Sequence, residues 1–264
     1  MFSRVLITGG SGFIGSNFIR HLLAARPDTH LTNVDVLSYS GNQENLRDLE
    51  DHPRYTFVHA DICDADKIRP LVAESDAVVH FAAESHVDRS ILDTRPFIRT
   101  NVLGTQTLLD AAVACKLERF VHISTDEVYG SLPLDRTDLR FNEDSAILPN
   151  SPYAASKAAS DMLVRAAHHT FGLNTCITRC SNNFGPYQFP EKVIPLFVTN
   201  LIENKKVPLY GDGLNVRDWI HVEDHFEAIL AVLDRGKPGE VYNIGADNEQ
   251  SNLDLTRSIL HILG

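Results

Sequence analysis

Near its N-terminus the chain reads Val5-Leu6-Ile7-Thr8-Gly9-Gly10-Ser11-Gly12-Phe13-Ile14-Gly15, an apolar run followed by closely spaced glycines. The apolar run predicts a buried strand, and the helical periodicity that starts at Phe13 predicts a helix. Glycines in a strand–turn–helix unit let the backbone approach a pyrophosphate, which amides at the helix N-terminus bind. Tight packing of the turn alone is the alternative explanation. We expect a dinucleotide site that begins with Gly9, Gly12, Phe13, Ile14 and Gly15.

An acidic residue follows the glycines at the distance that such sites use. Asp35 ends the second predicted strand, 20 residues after Gly15. An acid here can hydrogen-bond the adenosine ribose and would repel a 2′-phosphate, so NAD is expected rather than NADP. The segments after the third and fourth predicted strands are expected to complete the site with Asp61, Ile62, Ala82 and Ala83.

Strand-like and helical segments alternate through the first two thirds of the chain. This alternation predicts a parallel sheet of right-handed βαβ units, and the apolar strands indicate helices on both faces. We therefore expect a Rossmann-type, doubly wound α/β fold. The predicted strands are Val5–Thr8, Leu31–Asp35, Tyr55–His59, Ala77–Ala82, Phe120–Ser124 and Asn174–Thr178; the predicted helices are Phe13–Ala25, Ala65–Ala73, Phe97–Lys116 and Pro152–Phe171.

The pattern becomes irregular after residue 180, where prolines and glycines are frequent. We expect residues 1–180 to form the NAD-binding domain, with residues 221–245 returning to it. Residues 181–264 are expected to form mainly a smaller substrate-binding lobe. Its predicted elements are a helix near Glu191–Glu203, a helix over Glu223–Asp234, a strand over Glu240–Ile244 and a helix over Asn252–Leu263.

Composition excludes several classes of function. A net charge of −11 argues against nucleic-acid or anionic-membrane binding. No signal peptide or membrane-spanning run is evident, and the four cysteines show neither a disulfide framework nor a metal pattern. His221 and His225 are four residues apart, but no third ligand follows, so no metal is expected. These features together favour a cytoplasmic protein.

Residues 124–130 read Ser-Thr-Asp-Glu-Val-Tyr-Gly and follow a predicted buried strand. Two adjacent carboxylates repel each other, so one tends to keep its proton while the other ionises. Asp126 and Glu127 therefore predict a general acid beside a general base. Successive strand residues point to opposite faces, so the strand must end at or just after Thr125 for both to act on one substrate.

A second acid–base pair lies at the start of a predicted helix. Ser151 and Pro152 have the pattern of an N-cap and a first helical residue. Tyr153 and Lys157 then share one helix face, where a lysine ammonium and the helix N-terminus would favour a phenolate.

These segments resemble the extended short-chain dehydrogenase/reductase family and, within it, the nucleoside-diphosphate-sugar 4,6-dehydratases. The glycines and Tyr153-x-x-x-Lys157 indicate the superfamily, and the Asp126–Glu127 pair indicates the dehydratases. The resemblance covers essentially the whole chain. Its other matching segments are Ala82–Ser90, Arg179–Gln188 and Arg217–Trp219.

The resemblance implies an NAD-dependent hydro-lyase of deoxysugar biosynthesis, with dTDP-glucose as the expected substrate. Tyr153 would deprotonate the sugar O4 while hydride leaves C4, with Thr125 bonded to the same oxygen and Lys157 supporting Tyr153. Glu127 would take the C5 proton, Asp126 would protonate the C6 hydroxyl, and hydride would return to C6. The resemblance also implies a cofactor contact from Asn101 and substrate contacts from Ser85, Asn182, Lys192, Tyr210, Arg217 and Asn252.

Two further expectations come from the resemblance. Helices over residues 97–116 and 152–171 would form a homodimer interface. Relatives continue for several dozen residues beyond the point that corresponds to Gly264, so the substrate lobe is expected to be incomplete relative to the family.

Other functions remain open at the level of sequence. A 4-epimerase or a decarboxylase shares the fold, the cofactor and the Tyr153/Lys157 pair, but has little use for adjacent carboxylates. A catalytically silent NAD-binding subunit is the alternative from outside the enzymes.

Overall fold

Strands and helices alternate along most of the chain in the computed structural model, which describes residues 1–133, 138–209 and 211–263. The strands are β1 (Arg4–Thr8), β2 (His30–Asp35), β3 (Tyr55–His59), β4 (Ala77–His80), β5 (Arg119–Thr125), β6 (Thr175–Cys180), β7 (Asn182–Phe184), β8 (Val216–His221), β9 (Val241–Ile244) and β10 (Glu249–Ser251). The α-helices are α1 (Phe13–Ala25), α2 (Ala65–Ala73), α3 (Val87–Leu92), α4 (Arg95–Phe97), α5 (Thr105–Cys115), α6 (Pro152–Phe171), α7 (Val193–Ile202), α8 (Val222–Arg235) and α9 (Asn252–Leu263).

Seven strands form a parallel sheet in the order β3-β2-β1-β4-β5-β6-β9. The chain runs outward from β1 to β3 and then crosses back to β4 on the other side of β1. Parallel sheets of this kind bind ligands outside the carboxyl ends of the strands, where the direction of winding reverses. The predicted Rossmann-type α/β fold is confirmed, and the β1–β4 junction marks where its ligand site belongs.

Both faces of this sheet are covered by helices, as the apolar strands predicted. Helices α1 and α8 pack together on one face, where Phe18 and Ile229 are fully buried. Helices α2, α5 and α6 cover the other face, where Ile68, Leu108 and Val164 are fully buried. Burying a side chain of this type contributes about 1.5–3 kcal/mol, so the two layers hold the strand ends in fixed positions.

The helix that carries Tyr153 and Lys157 has the boundaries that its sequence predicts. The Ser151 hydroxyl accepts a hydrogen bond from the Ala154 amide at 3.1 Å, and Pro152 is the first helical residue. Gly172 ends the helix in the left-handed conformation, with φ of +69°. Local capping therefore sets the start of α6, and with it the position of Tyr153 one residue after Pro152.

The predicted continuous helix over Phe97–Lys116 is wrong in detail. A π-helical segment over Ile98–Gly104 separates α4 from α5. Within it the Thr105 hydroxyl donates to the Asn101 carbonyl oxygen at 2.6 Å. A side chain competing for helical carbonyls in this way loosens the regular ladder, and such π segments are frequent at functional sites.

Three of the strands were not predicted from the sequence. β7, β8 and β10 form a separate sheet in the order β10-β8-β7, and Phe197, Trp219, Leu255 and Ile259 pack beside it. Two of these strands have three residues each, which is too short for a period-of-two pattern to be recognised. The fourth strand of the main sheet also ends earlier than predicted, at His80 rather than Ala82.

Candidate active site

A large cavity lies at the carboxyl ends of β1, β2, β4 and β5. Its volume is about 930 Å³, which is enough for one end of a dinucleotide cofactor together with a small substrate. The β1–β4 junction lies at its centre, as the strand order requires.

The glycine turn forms one wall of this cavity, and two of its glycines are required by packing. A Cβ on Gly9 would lie 2.6 Å from the Ala82 Cα atom, and Gly9 has φ of +72°. A Cβ on Gly15 would lie 2.5 Å from the Gly9 carbonyl oxygen. Gly12 differs, because its Cβ would meet only that same carbonyl, at 3.3 Å. Packing explains Gly9 and Gly15, whereas the bare backbone at Gly12 keeps the helix N-terminus open to the cavity, which fits a pyrophosphate.

Gly12→Ala is therefore expected to weaken NAD binding while the protein stays folded. A methyl group at this position would push the pyrophosphate away from the amides at the start of α1. Charge-assisted hydrogen bonds contribute about 1.5–3 kcal/mol each, so losing one weakens binding about tenfold or more. Quenching of the single tryptophan, Trp219, which lines the cavity, provides the binding measurement. Unchanged affinity in a folded Gly12→Ala protein would contradict this function for the turn.

Asp35 lies at the end of β2 and borders the cavity. Its carboxylate accepts hydrogen bonds from the backbone amides of Ser11, at 2.9 Å, and Leu37, at 2.8 Å. Burial raises the pKa of Asp35, and these two hydrogen bonds oppose that shift. The carboxylate is thus held in one orientation beside the glycine turn, where an adenosine ribose would lie.

Three further residues line the cavity where the cofactor is expected: Asp61, Ile62 and Arg99. Arg99 Nη1 donates to Asp61 Oδ2 at 2.6 Å. Asn101, which was expected to touch the cofactor, is instead engaged within the protein. It accepts from the Glu84 amide at 2.8 Å and donates to the Glu84 carbonyl and to Ser156 Oγ. Its observed function is to hold the loop after β4 against α6.

Tyr153 and Lys157 project from α6 toward the carboxyl end of β5, and both are buried. Lys157 Nζ donates to the Ile123 carbonyl oxygen at 2.8 Å, which fixes its position. Burial lowers the pKa of Lys157 to about 8. The pKa of Tyr153 is raised by burial first and by the charge of Glu127 second, and a hydrogen bond with Thr125 opposes the shift. The lysine ammonium and the helix N-terminus were expected to favour a phenolate, but burial and the charge of Glu127 outweigh them here.

The predicted break in the chain at Thr125 is confirmed. β5 ends at Thr125, and a 3₁₀ turn over Asp126–Tyr129 follows immediately. Thr125 Oγ1 accepts a hydrogen bond from the Glu127 amide at 3.2 Å and donates to Asp126 Oδ1 at 3.4 Å. Threonine thus caps the turn with its own hydroxyl, and the turn keeps both carboxylates at the end of β5 beside Tyr153.

The surroundings of the two carboxylates differ in a way that suits an acid and a base. Burial and the charge of Glu127 raise the pKa of Asp126 to about 7. Burial also raises the pKa of Glu127, but the positive charges of Arg217 and Lys192 oppose that shift. Near neutral pH, Asp126 therefore holds a proton for a large part of the time, whereas cations stabilise Glu127 as a carboxylate.

Most of the residues singled out from the sequence line the cavity, and a few do not. Lining residues from the expected set are Gly9, Gly12, Phe13, Ile14, Gly15, Asp35, Asp61, Ile62, Ala82, Ala83, Ser85, Thr125, Glu127, Tyr153, Lys157, Asn182 and Lys192. Among the described residues of that set, those that do not line it are Asn101, Asp126, Arg217 and Asn252. Tyr210 lies outside the described residues.

Arg217 and Asn252 occupy the neighbouring three-stranded sheet. Arg217 pairs with Gln250 in the β8–β10 ladder, and Asn252 begins α9 directly after β10. The charge of Arg217 opposes the rise in the pKa of Asp126 and of Glu127, so Arg217 acts at the edge of the site without lining the cavity. Asp126 occupies the first position of the 3₁₀ turn, within the electrostatic influence of Arg217.

Sequence analysis missed a group of residues that crosses the cavity mouth. The Arg89 guanidinium lies 4.0 Å from the centre of the Tyr39 ring and donates to Glu191 Oε2 at 3.2 Å. Phe189 meets the same ring edge-on, with ring centres 5.8 Å apart. These residues come from helix α3 and from two loops, and they are separated by about 50 to 150 positions. No local pattern links them, so only the fold brings them together.

The described residues contain no cluster that would hold a metal ion, and His225 instead hydrogen-bonds Asn183 Oδ1 at 2.7 Å. The four cysteines are unpaired within the described ranges. No helix there is long and apolar enough to cross a membrane.

A family model described as GDP-mannose 4,6 dehydratase matches residues 6–262. The chain belongs to this family of nucleotide-sugar 4,6-dehydratases. Its sequence is 53% identical to a dTDP-glucose 4,6-dehydratase of Streptomyces niveus over 99% of this chain and 78% of that protein. It is 50% identical to dTDP-glucose 4,6-dehydratase 1 of Escherichia coli K12 over 98% of this chain and 76% of that protein.

Solved structures of dehydratases share the whole fold of this family member. The dTDP-glucose 4,6-dehydratase DesIV of Streptomyces venezuelae, crystallised with NAD and TYD, superposes with a TM-score of 0.95 at 54% identity. The match covers 99% of this chain and 81% of that one. A UDP-glucuronic acid 4-epimerase of Bacillus cereus reaches a TM-score of 0.92 at only 31% identity, covering 98% of this chain and 82% of that one. Fold alone therefore does not separate dehydratases from epimerases, and the site residues must.

Proposed function

We propose that this 4,6-dehydratase converts dTDP-glucose into the 4-keto-6-deoxy sugar nucleotide and water, with NAD as its redox cofactor. The observation that carries the proposal is the 3₁₀ turn after Thr125, which presents two carboxylates of different proton affinity beside Tyr153. Oxidation at C4 alone needs only one base from the protein, Tyr153, besides the cofactor that accepts the hydride. Elimination of water from C5 and C6 needs an acid and a base together.

The cavity residues around the glycine turn and Asp35 fit NAD. The open backbone at Gly12 suits the pyrophosphate, and the oriented carboxylate of Asp35 suits the adenosine ribose. Asp61, Ile62, Ala82 and Ala83 border the remaining cofactor space. When bound, NAD supplies the hydride acceptor for C4, the donor for C6, and a positive charge that favours ionised Tyr153.

Tyr153 and Thr125 would act on the sugar O4. Ionised Tyr153 removes the hydroxyl proton, and Thr125 hydrogen-bonds the same oxygen, as the contact between the two side chains allows. Lys157 is held by the Ile123 carbonyl one helical turn from Tyr153, and its ammonium would hold the nicotinamide ribose. The new C4 ketone acidifies the neighbouring C5 proton.

Glu127 and Asp126 would then carry out the elimination. Glu127, stabilised as a carboxylate by Arg217 and Lys192, takes the C5 proton. Asp126, which keeps its proton near neutral pH, protonates the C6 hydroxyl as water leaves. Each carboxyl group thus starts in the protonation state that its role requires.

The proposed substrate contacts are Ser85, Asn182 and Lys192 at the cavity and Arg217, Asn252 and Tyr210 beyond it. Lys192 is partly buried; desolvation lowers its pKa, and the charge of Glu191 opposes that shift. A partly buried cation near the catalytic carboxylates suits an anionic diphosphate as a point charge, and Arg217 suits a bidentate contact.

The pH dependence of elimination should follow the proton on Asp126. Because the pKa of Asp126 is about 7 and the acid form is required, the elimination rate should fall above about pH 7. A single-turnover pH profile measures this limb, and the slow residual rate of Asp126→Asn should lack it. A wild-type elimination rate that stays flat from about pH 6 to about pH 9 would contradict the assignment of Asp126 as the acid.

Asp126→Asn also gives a stability prediction from the same shift. The folded-state pKa lies above the ordinary value of 3.8, so ionisation of Asp126 weakens folding progressively as pH rises from about 4 through about 7. The amide does not ionise, so the variant should have a higher thermal midpoint than wild type at pH 8 and no such gain at pH 4.

The catalytic proposal is tested by incubating the protein with dTDP-glucose and NAD and assaying for the alkaline absorbance of a 4-keto product. A 4-epimer as the product would sink the dehydratase proposal in favour of an epimerase. The absence of any product, with NAD bound, would favour a silent NAD-binding subunit. The same assay with UDP- and CDP-glucose reports which base is accepted.

The remaining proposals concern organisation. Residues 1–180 with 221–245 would form the NAD-binding domain, which is supported by the pairing of β9 with β6 and the packing of α8 on α1. The rest of 181–264 would be the substrate lobe, and the protein would work in the cytoplasm.

Segments 97–116 and 152–171 expose Ile98, Leu103 and Met162 by 49%, 54% and 44%, which supports a homodimer through these helices. Light scattering should show a dimer that Leu103→Glu converts to a monomer.

A further inference from the structure

A chain of buried polar side chains runs behind the cavity, between the two catalytic segments. Asp161 lies on α6, one turn after Lys157, and is fully buried. Arg179 lies on β6 and is 4% exposed. Arg179 Nε donates to Asp161 Oδ2 at 2.9 Å, and its Nη1 donates to the Tyr129 hydroxyl at 2.9 Å. The guanidinium thus joins the helix to the turn through two of its donors.

Tyr129 is the last residue of the 3₁₀ turn that begins with Asp126. Its hydroxyl donates to Asn243 Oδ1 on β9 at 2.7 Å, and its ring stacks on Phe141 with centres 5.0 Å apart. The ring also lies under the Arg179 guanidinium, 4.9 Å from its central carbon. The far end of the turn is therefore fixed through the side chain of Tyr129, and Thr125 fixes the near end.

A buried ion pair of this kind is a poor device for stability alone. Removing two charges from water costs about as much as their attraction returns, and apolar residues of the same volume often serve stability equally well. Such pairs are better suited to fixing the register of the elements that they join. Here those elements carry Tyr153 and Lys157 on one side and Asp126 and Glu127 on the other.

We infer that Asp161, Arg179 and Tyr129 form a positioning relay that sets the elimination pair, Asp126 and Glu127, relative to the oxidation pair, Tyr153 and Lys157. The inference rests on the proposed function and adds residues that touch neither substrate nor cofactor. The sugar must be oxidised at C4 and deprotonated at C5 without leaving its place. The acid–base turn must therefore lie at a fixed distance from Tyr153, and misplacement by about 1 Å costs about a hundredfold in rate.

Tyr129→Phe is the first test because it removes one hydroxyl and keeps the ring between Phe141 and Arg179. We expect the rate of C4 oxidation and KM to change by less than about threefold, while the elimination rate falls about tenfold or more. Reduced cofactor should then accumulate in a single turnover. Thermal midpoint and NAD affinity, read from Trp219 quenching, provide readouts that do not depend on turnover.

The matched control is Tyr242→Phe. Tyr242 is the neighbour of Asn243 on β9 and faces the other side of the sheet, where its hydroxyl accepts from the Lys237 amide at 2.7 Å. This variant loses one hydroxyl hydrogen bond, against two in Tyr129→Phe, and it should not slow elimination. An equal slowing in both variants would show a general structural effect and overturn the relay.

Arg179→Lys provides a second route if Tyr129→Phe folds poorly. A lysine keeps the charge beside Asp161 but has no planar fork with which to reach Tyr129 as well. It should slow elimination selectively, and the Tyr129→Phe/Arg179→Lys double variant should be no slower than the worse single variant. Additive losses, or equal losses of oxidation and elimination, would overturn the relay. Wild type assayed in parallel separates the two claims: a wild type without 4-keto product refutes the dehydratase and the relay together, whereas an active wild type beside an unimpaired Tyr129→Phe refutes the relay alone.

Discussion

Tyr153→Phe is expected to slow C4 oxidation by about 10²–10⁴-fold, the range typical for loss of a general base. The variant removes one oxygen from a site that is otherwise retained, because the ring packs edge-on against Phe97 with centres 6.3 Å apart. The Thr125 hydroxyl lies beside the same position, but an alcohol is too weakly acidic to replace a phenolate. Glu127 and Asp126 are placed for C5 and C6 rather than for O4.

The fold should survive this change. Burial and two nearby carboxylates raise the pKa of Tyr153, so the phenol is neutral in the folded protein and its replacement by phenylalanine removes no charge. We expect a thermal midpoint close to that of wild type. Absorbance of the reduced nicotinamide after mixing with dTDP-glucose measures the oxidation step directly.

Tyr55→Phe is the matched control for this measurement. Tyr55 and Tyr153 are both 9% exposed, and the Tyr55 hydroxyl accepts from Asn33 Nδ2 at 2.9 Å on the far side of β2. Loss of the Tyr55 hydroxyl should leave the rate of C4 oxidation unchanged. If Tyr153→Phe retained more than about a tenth of the wild-type oxidation rate, Tyr153 would not be the base at O4.

Glu127→Gln is expected to separate oxidation from elimination. The amide keeps the size of the side chain but cannot accept the C5 proton, so elimination should slow by about 10²–10⁴-fold. Oxidation at C4 should persist, since the negative charge that most raises the Tyr153 pKa after burial is removed. Reduced cofactor should accumulate during a single turnover.

Exchange of the C5 hydrogen with solvent distinguishes the two carboxyl groups. In deuterated water Glu127→Gln should leave C5 unlabelled, because no base removes that proton. Asp126→Asn should still label C5, because Glu127 is intact, but should not release water from C6. Labelling at C5 in Glu127→Gln at the wild-type rate would assign the base to another residue.

Sequence predicted the local features of the site better than its long-range ones. The glycine turn, the capped start of α6 and the break after Thr125 each follow from residues within a few positions of one another. Local sterics, capping and the alternation of side chains determine them. The parallel direction of the strands in the main sheet also follows from the alternation of strands and helices.

Features that depend on distant residues were not predictable in the same way. Asn101 was expected at the cofactor, and its hydrogen bonds with Glu84 and Ser156 could not be predicted from the sequence around it. Arg217 was expected to contact the substrate, and it remains a proposed contact, but its place on the neighbouring sheet follows from a β8–β10 pairing that the sequence did not reveal. The rise in the Tyr153 pKa depends on burial and on Glu127, which is 26 positions away in the chain. Each of these outcomes is set by packing rather than by local sequence.

The most direct measurement uses dTDP-glucose that carries deuterium at C4. If Tyr153 serves an oxidation at C4 and the carboxylate pair serves elimination, the hydride removed from C4 must return to C6. The product should be a 4-keto-6-deoxy sugar nucleotide whose methyl group contains one deuterium, as shown by NMR. Deuterium retained at C4 of a 4-epimer would contradict this account.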